Sequence, residues 1–93
     1  MVMVLKRIDE IYQREGFMIE PRTRKGKALT NLKRNGVLKA YPFRKKLKDS
    51  STVNDWITER FEASNPGYSC KVLDSNGNIV PGQTLLKTVR ATY

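Results

Sequence analysis

From Arg22 to Lys48 the chain runs 27 positions without an Asp or Glu while carrying eleven positive side chains: Arg22, Arg24, Lys25, Lys27, Lys33, Arg34, Lys39, Arg44, Lys45, Lys46 and Lys48. Like charges crowded into one stretch repel each other in the free protein. The simplest compensation is a polyanion, whose condensed counterions are exchanged for lysine and arginine. Seven further cations lie outside the window against all nine acids, which leaves the rest of the chain at −2 and makes the +9 net charge a property of this one segment. Its first part, Arg22 to Gly26, has no apolar residue to anchor it and reads as an exposed basic loop.

Ninety-three residues fit one small domain, spanning 1–93, and a chain of that length can bury a modest core without staples. With 39% hydrophobic and 29% charged residues, the apolar side chains are clustered rather than missing, so the chain is expected to fold. A lone cysteine, Cys70, rules out an internal disulfide framework and suits a reducing compartment; between Ser69 and Lys71 it reads as a small buried hydrophobe. No apolar run approaches the roughly 20 residues that cross a bilayer, and Met1 to Leu5 is too short for a signal segment. The expectation is a cytoplasmic or nucleoid-associated protein.

Val4, Ile8, Ile11 and Tyr12 recur at helical spacing over residues 2–15, and Gly16 is placed to end that helix in the left-handed conformation. Phe17, Met18 and Ile19 suggest a short strand closed by Pro21. From Lys27 a second helix is expected, with Leu29 and Leu32 on one face, Lys33 and Arg34 in its last turn, and Asn35-Gly36 as its stop. Val37 or Leu38 would then fold back on Leu32. The stretch from Leu38 to Phe43 should be extended, with Pro42 keeping it at a sheet edge or outside the ladder.

A third helix is expected from the Ser50, Ser51 and Thr52 caps to about Ala63, with Thr52 and Asp55 at capping-box spacing and Val53, Trp56, Ile57 and Phe61 buried. Asn65-Pro66-Gly67 stops it. Tyr68–Leu73 and Asn78–Val80 read as two strands of a hairpin turned by Asp74-Ser75-Asn76-Gly77. For the tail, Thr84 as cap and Leu85, Leu86, Val89 and Tyr93 as one face favour a helix. The fold class follows: a small α+β domain in which three or four short helices pack on a two- or three-stranded antiparallel sheet containing the hairpin 68–80.

Function is carried by the basic window. A membrane surface would demand a broad apolar face beside the cations, and Leu29 and Leu32 make a thin one, so no membrane partner is expected. Nucleic acid, DNA or RNA, is the expected partner, held mainly through phosphates. In an extended segment Lys39, Tyr41, Phe43 and Lys45 share one face, and aromatic rings framed by cations are what binders of single strands use. The competing role for Tyr41 and Phe43 is core packing, because so small a domain is short of large apolar side chains. The expected binding residues are Arg22, Arg24, Lys25, Lys27, Lys33, Arg34, Lys39, Tyr41, Phe43, Arg44, Lys45, Lys46 and Lys48. An acidic protein docked on the same cations is the alternative, which would make the chain a regulator or inhibitor.

The order helix, glycine stop, Val-Leu and extended basic strand over Lys27 to Lys46 resembles the recognition helix and following strand of winged-helix DNA-binding domains. The resemblance implies Lys27, Thr30, Asn31, Lys33 and Arg34 as groove-facing residues, with Asn31 suited to adenine and Arg34 to guanine. The chain departs from that pattern in leaving no room at 20–27 for the middle helix.

Catalysis is not expected. The chain has no histidine, its single cysteine lacks that activating partner, and its nine carboxylates form no obvious metal cluster, so neither a metal nor a cofactor is assigned. Asp74, Asn76 and Asn78 have the alternation of a calcium loop but lack its distal glutamate, and a hairpin turn accounts for them. Lys25-Gly26-Lys27 has too few glycines to cradle a nucleotide phosphate.

Overall fold

Helix α1 spans Val4–Glu15 and buries Val4, Ile8, Ile11 and Glu15, a stripe at i, i+4, i+7 and i+11 that keeps one face on the core. The stripe thus ends on an acid. Tyr12, expected in it, lies at the margin, more than a third exposed, with its ring against Tyr93 at 5.8 Å. Gly16 closes the helix at φ 89°, a left-handed conformation that lets its N–H donate to the Tyr12 carbonyl. The computed structural model describes residues 3–23, 26–28 and 38–93. The helix expected from Lys27 does not start there: Ala28 bridges antiparallel to Arg22 and the Lys27 carbonyl accepts from Thr23 N–H, so these two residues pair back on the preceding segment. Residues 29–37, which hold the rest of that helix, its Asn35-Gly36 stop and four of the five groove-facing residues of the winged-helix resemblance, lie outside the described residues.

Strand β1 (Met18–Thr23) pairs antiparallel with β2 (Tyr68–Leu73), from Met18 opposite Leu73 to Thr23 opposite Tyr68. This corrects two expectations. Pro21 does not close the strand but lies inside it opposite Cys70, which is possible because each strand of a two-stranded sheet has an open edge where a missing N–H breaks nothing. The ladder partner of β2 is β1; residues 78–80 do return along it, with a bridge from Ile79 to Leu73 and backbone bonds from Asp74 N–H to the Asn78 carbonyl and from Val80 N–H to the Val72 carbonyl, but they do not extend into a strand. The turn at Asp74 does form: its Oδ1 accepts from the backbone N–H groups of Asn76 and Asn78, an Asx turn that uses the oxygen a calcium loop would need.

Helix α2 (Val53–Trp56) starts in the expected capping box, with Asp55 N–H donating to Thr52 Oγ1 and Thr52 N–H to Asp55 Oδ2. It continues as a π-helical stretch, Ile57–Glu62. The wider turn aligns side chains five apart, so Trp56 and Phe61 both face inward with ring centroids 6.0 Å apart. Asn65 follows, buried, its Nδ2 donating to the Phe61 carbonyl. The tail forms α3 (Leu86–Arg90), capped by Leu85 rather than Thr84, because Thr52 and Leu85 form a bridge and Leu86 N–H donates to the Ser51 carbonyl. That pairing brings α3 to the start of α2.

One core joins these pieces: Val4, Ile8 and Ile11 from α1, Phe17 and Ile19, Leu38, the Val53, Trp56, Ile57 and Phe61 face, Cys70 and Val72 from β2, and Leu86 and Val89 from α3. Trp56 and Phe17 meet edge to face at 5.0 Å, a geometry that adds about 0.5–1.5 kcal/mol beyond area burial. The architecture is a small α+β domain of three helices and a two-stranded antiparallel sheet among the described residues. Among those residues no helix is long and apolar enough to cross a membrane.

Candidate nucleic-acid interface

Residues 38–49 form a strap, bent at 44–45, with no strand partner among the described residues, and a run of alternate positions is tied inward. Leu38 is buried in the core, and Lys39 N–H donates to the buried Asn65 Oδ1 at 2.7 Å. The Tyr41 ring packs against the core, and its hydroxyl donates to Glu15 Oε2 and accepts from Trp56 Nε1 at 3.0 Å. Phe43 lies 5.2 Å from Tyr41 with the Arg60 guanidinium 4.4 Å over its ring, a cation–π contact. The Lys45 carbonyl accepts from Arg60, and the Leu47 carbonyl accepts from Arg90 Nη1 at 2.8 Å. Asp49 accepts from Arg90 Nη1 at 2.7 Å.

Glu15 is the centre of this attachment, its side chain 0% exposed at the end of α1. Oε1 accepts from Leu47 N–H and Arg90 Nη2, both at 2.9 Å; Oε2 accepts from the Tyr41 hydroxyl and from Arg60 Nη1 at 2.8 Å. Four donors on two oxygens fill the sites a carboxylate offers, so the buried charge is both paired and fully hydrogen-bonded. Arg90 adds a bond from Nε to the Glu15 carbonyl at 2.6 Å. With Asp49 included, two guanidinium groups meet two carboxylates and the network is neutral. Burial, then the bond to Glu15 and that carboxylate's charge, raise the Tyr41 hydroxyl above its ordinary value. The Arg90 bond holds Asp49 below the usual carboxylate range.

With the anchoring groups turned inward, Arg44, Lys45, Lys46 and Lys48 extend exposed side chains to solvent, and Lys39 and Lys27 are exposed too. None of these six cations is in an ion pair among the described residues. Arg22 differs. It is a half-buried strand residue, paired with Glu20 at 2.7 Å and bonded to the Gly26 carbonyl, so it belongs to a local turn and not to an exposed loop. Arg24, Lys25, Lys33 and Arg34 lie outside the described residues. Tyr41 is half-buried against the core, in keeping with the packing role weighed for it, whereas Phe43, also half-buried, packs on Tyr41 and Arg60; both line a cleft against α1.

Sequence reasoning overlooked the positioning residues Glu15, Arg60, Asn65 and Arg90. A signal for Glu15 was present: it continues the spacing of Val4, Ile8 and Ile11, and an acid on a buried stripe demands cationic partners. Comparison with protein-family models, with curated proteins and with solved structures returns no match for this chain.

Proposed function

We propose that this protein binds nucleic acid, without acting on it as an enzyme, through phosphate contacts along the strap. The supporting observation is the division of labour at residues 38–49: backbone and aromatic groups are fastened to Glu15, Arg60, Asn65 and Arg90, while Arg44, Lys45, Lys46 and Lys48 stand exposed and unpaired among the described residues. Surface cations that serve stability are ordinarily interspersed with carboxylates. Here the fold fastens the backbone of the strap while these four side chains stay out of ion pairs among the described residues, so a polyanion can supply the countercharge they lack. On this reading the protein acts by stoichiometric coverage of its partner.

The test is a salt titration of binding to duplex DNA, single-stranded DNA and RNA, beside capture of cellular proteins. Four phosphate contacts give a log-log slope of at least about −3 to −4. Saturable binding to one acidic protein, with nucleic acids bound weakly and with a shallow slope, would replace this reading with the protein-docking one.

A further inference from the structure

Between the strap and α1 lies a cleft of about 270 Å³ lined by Lys6, Asp9, Glu10, Gln13, Arg14, Tyr41 and Phe43. Its composition is unlike that of a bare cationic groove. Two aromatic side chains form one wall. The rest of the lining is a face of α1 offering acceptors from Asp9, Gln13 and Glu10, the last paired with Arg7, and donors from Lys6, Gln13 and Arg14. The aromatic wall is also rigid, since Tyr41 is tied to Glu15 and Trp56 and Phe43 is stacked under Arg60. Its volume falls just below the range of drug-sized pockets and suits a single flat ring system. Arg44 and Lys45 follow Phe43 directly in the chain, which puts exposed cations next to the aromatic wall.

We propose that this cleft receives one unstacked base of a single-stranded nucleic acid whose phosphates are held by Arg44, Lys45 and Lys46. The inference rests on the phosphate-binding reading above and narrows it from polyanions in general to single strands. A duplex keeps its bases stacked and cannot present one to the aromatic wall without an unpairing cost, whereas a single strand can. The edge of an inserted base meets donors from Lys6, Gln13 and Arg14 as well as acceptors from Asp9, Glu10 and Gln13, so every base finds complementary groups there.

The experiment compares a short single strand, the same backbone with all bases removed, and the matching duplex, each bound to the intact chain at one salt concentration. The base-bearing strand should bind about 5- to 150-fold more tightly than the abasic one. A fluorescent adenine analogue in that strand should be quenched on binding. The ratio of base-bearing to abasic affinity cancels changes in net charge, so Gln13→Ala and Asp9→Ala should each lower that ratio. Phe43→Leu should do so as well, while keeping an apolar group under Arg60. Equal affinity for the base-bearing and abasic strands, with steep salt dependence for both, would overturn the base cleft and leave the phosphate reading standing. Failure of both strands to bind would overturn both.

Discussion

At the scale of single residues, Glu15 bears more of the structure than any other polar group. Removing its charge leaves Arg60 and Arg90, which are only 15% and 11% exposed, facing each other without their shared carboxylate. Breaking a buried pair by deleting one partner costs about 3–5 kcal/mol, because the remaining charges stay buried. Glu15→Gln should therefore lower stability by an amount of that order in urea unfolding followed by Trp56 fluorescence. A loss below 1 kcal/mol, the ordinary value of an exposed ion pair, would show that the carboxylate is not the hub. A second residue-scale expectation concerns alkali. The Tyr41 and Tyr93 hydroxyls are raised above the ordinary 10.0 chiefly by burial, and the Cys70 thiol is pushed well above 9.0 for the same reason. Each group keeps its proton in the folded chain after the unfolded chain has released its own. Stability is thus fully present below about pH 9 and falls as pH rises toward the folded values. Melting temperature should decline from pH 9 to 11, and Tyr41→Phe should make the upper part of that decline shallower. A melting temperature that holds steady or rises across this interval would contradict the assignment.

At the scale of elements, the strap separates holding from binding. Replacing Arg44, Lys45 and Lys46 together by Gln removes exposed groups with no ion-pair partner among the described residues, so stability should change by no more than about 0.5 kcal/mol per site. The salt slope of nucleic-acid binding should flatten by about 2 to 3, while Lys71→Gln on the exposed side of β2 should leave it unchanged. Equal flattening per charge removed in both variants would mean that net charge alone governs binding. Local chemistry made several elements legible in advance: Gly16 as the end of α1, the capping box at Thr52 and Asp55, and the buried face of α2. The sheet was not legible, because strand pairing is decided by which apolar faces share a core. Tyr68–Leu73 carries a good turn signal toward Asn78, yet its long partner is Met18–Thr23, some fifty residues away. The strap's place outside the ladder could be read from Pro42, but its attachment could not, since that depends on Arg60 and Arg90 sending their charges inward.

At the scale of the whole molecule, the Glu15 network joins the end of α1, the strap, the π-helical stretch through Arg60 and α3 through Arg90, elements that lie far apart in sequence. Strap segments without ladder bonds ordinarily open locally at little cost and exchange their amide hydrogens quickly. Here the Leu47 amide is bonded to a buried carboxylate and the Lys39 amide to a buried asparagine, and neither bond can break without disturbing groups packed on Trp56 and Phe61. The strap should therefore open only when the core does. Native-state hydrogen exchange should find Leu47 and Lys39 protected to nearly the same free energy as Val72 in the middle of β2, although both lie outside regular secondary structure. Glu15→Gln should uncouple them, dropping Leu47 protection further than that of Val72. If Leu47 in the unaltered protein exchanges as fast as an exposed tail residue such as Tyr93, the strap is an independent arm. Its cations would then lose the fixed arrangement on which both the phosphate contacts and the base cleft depend.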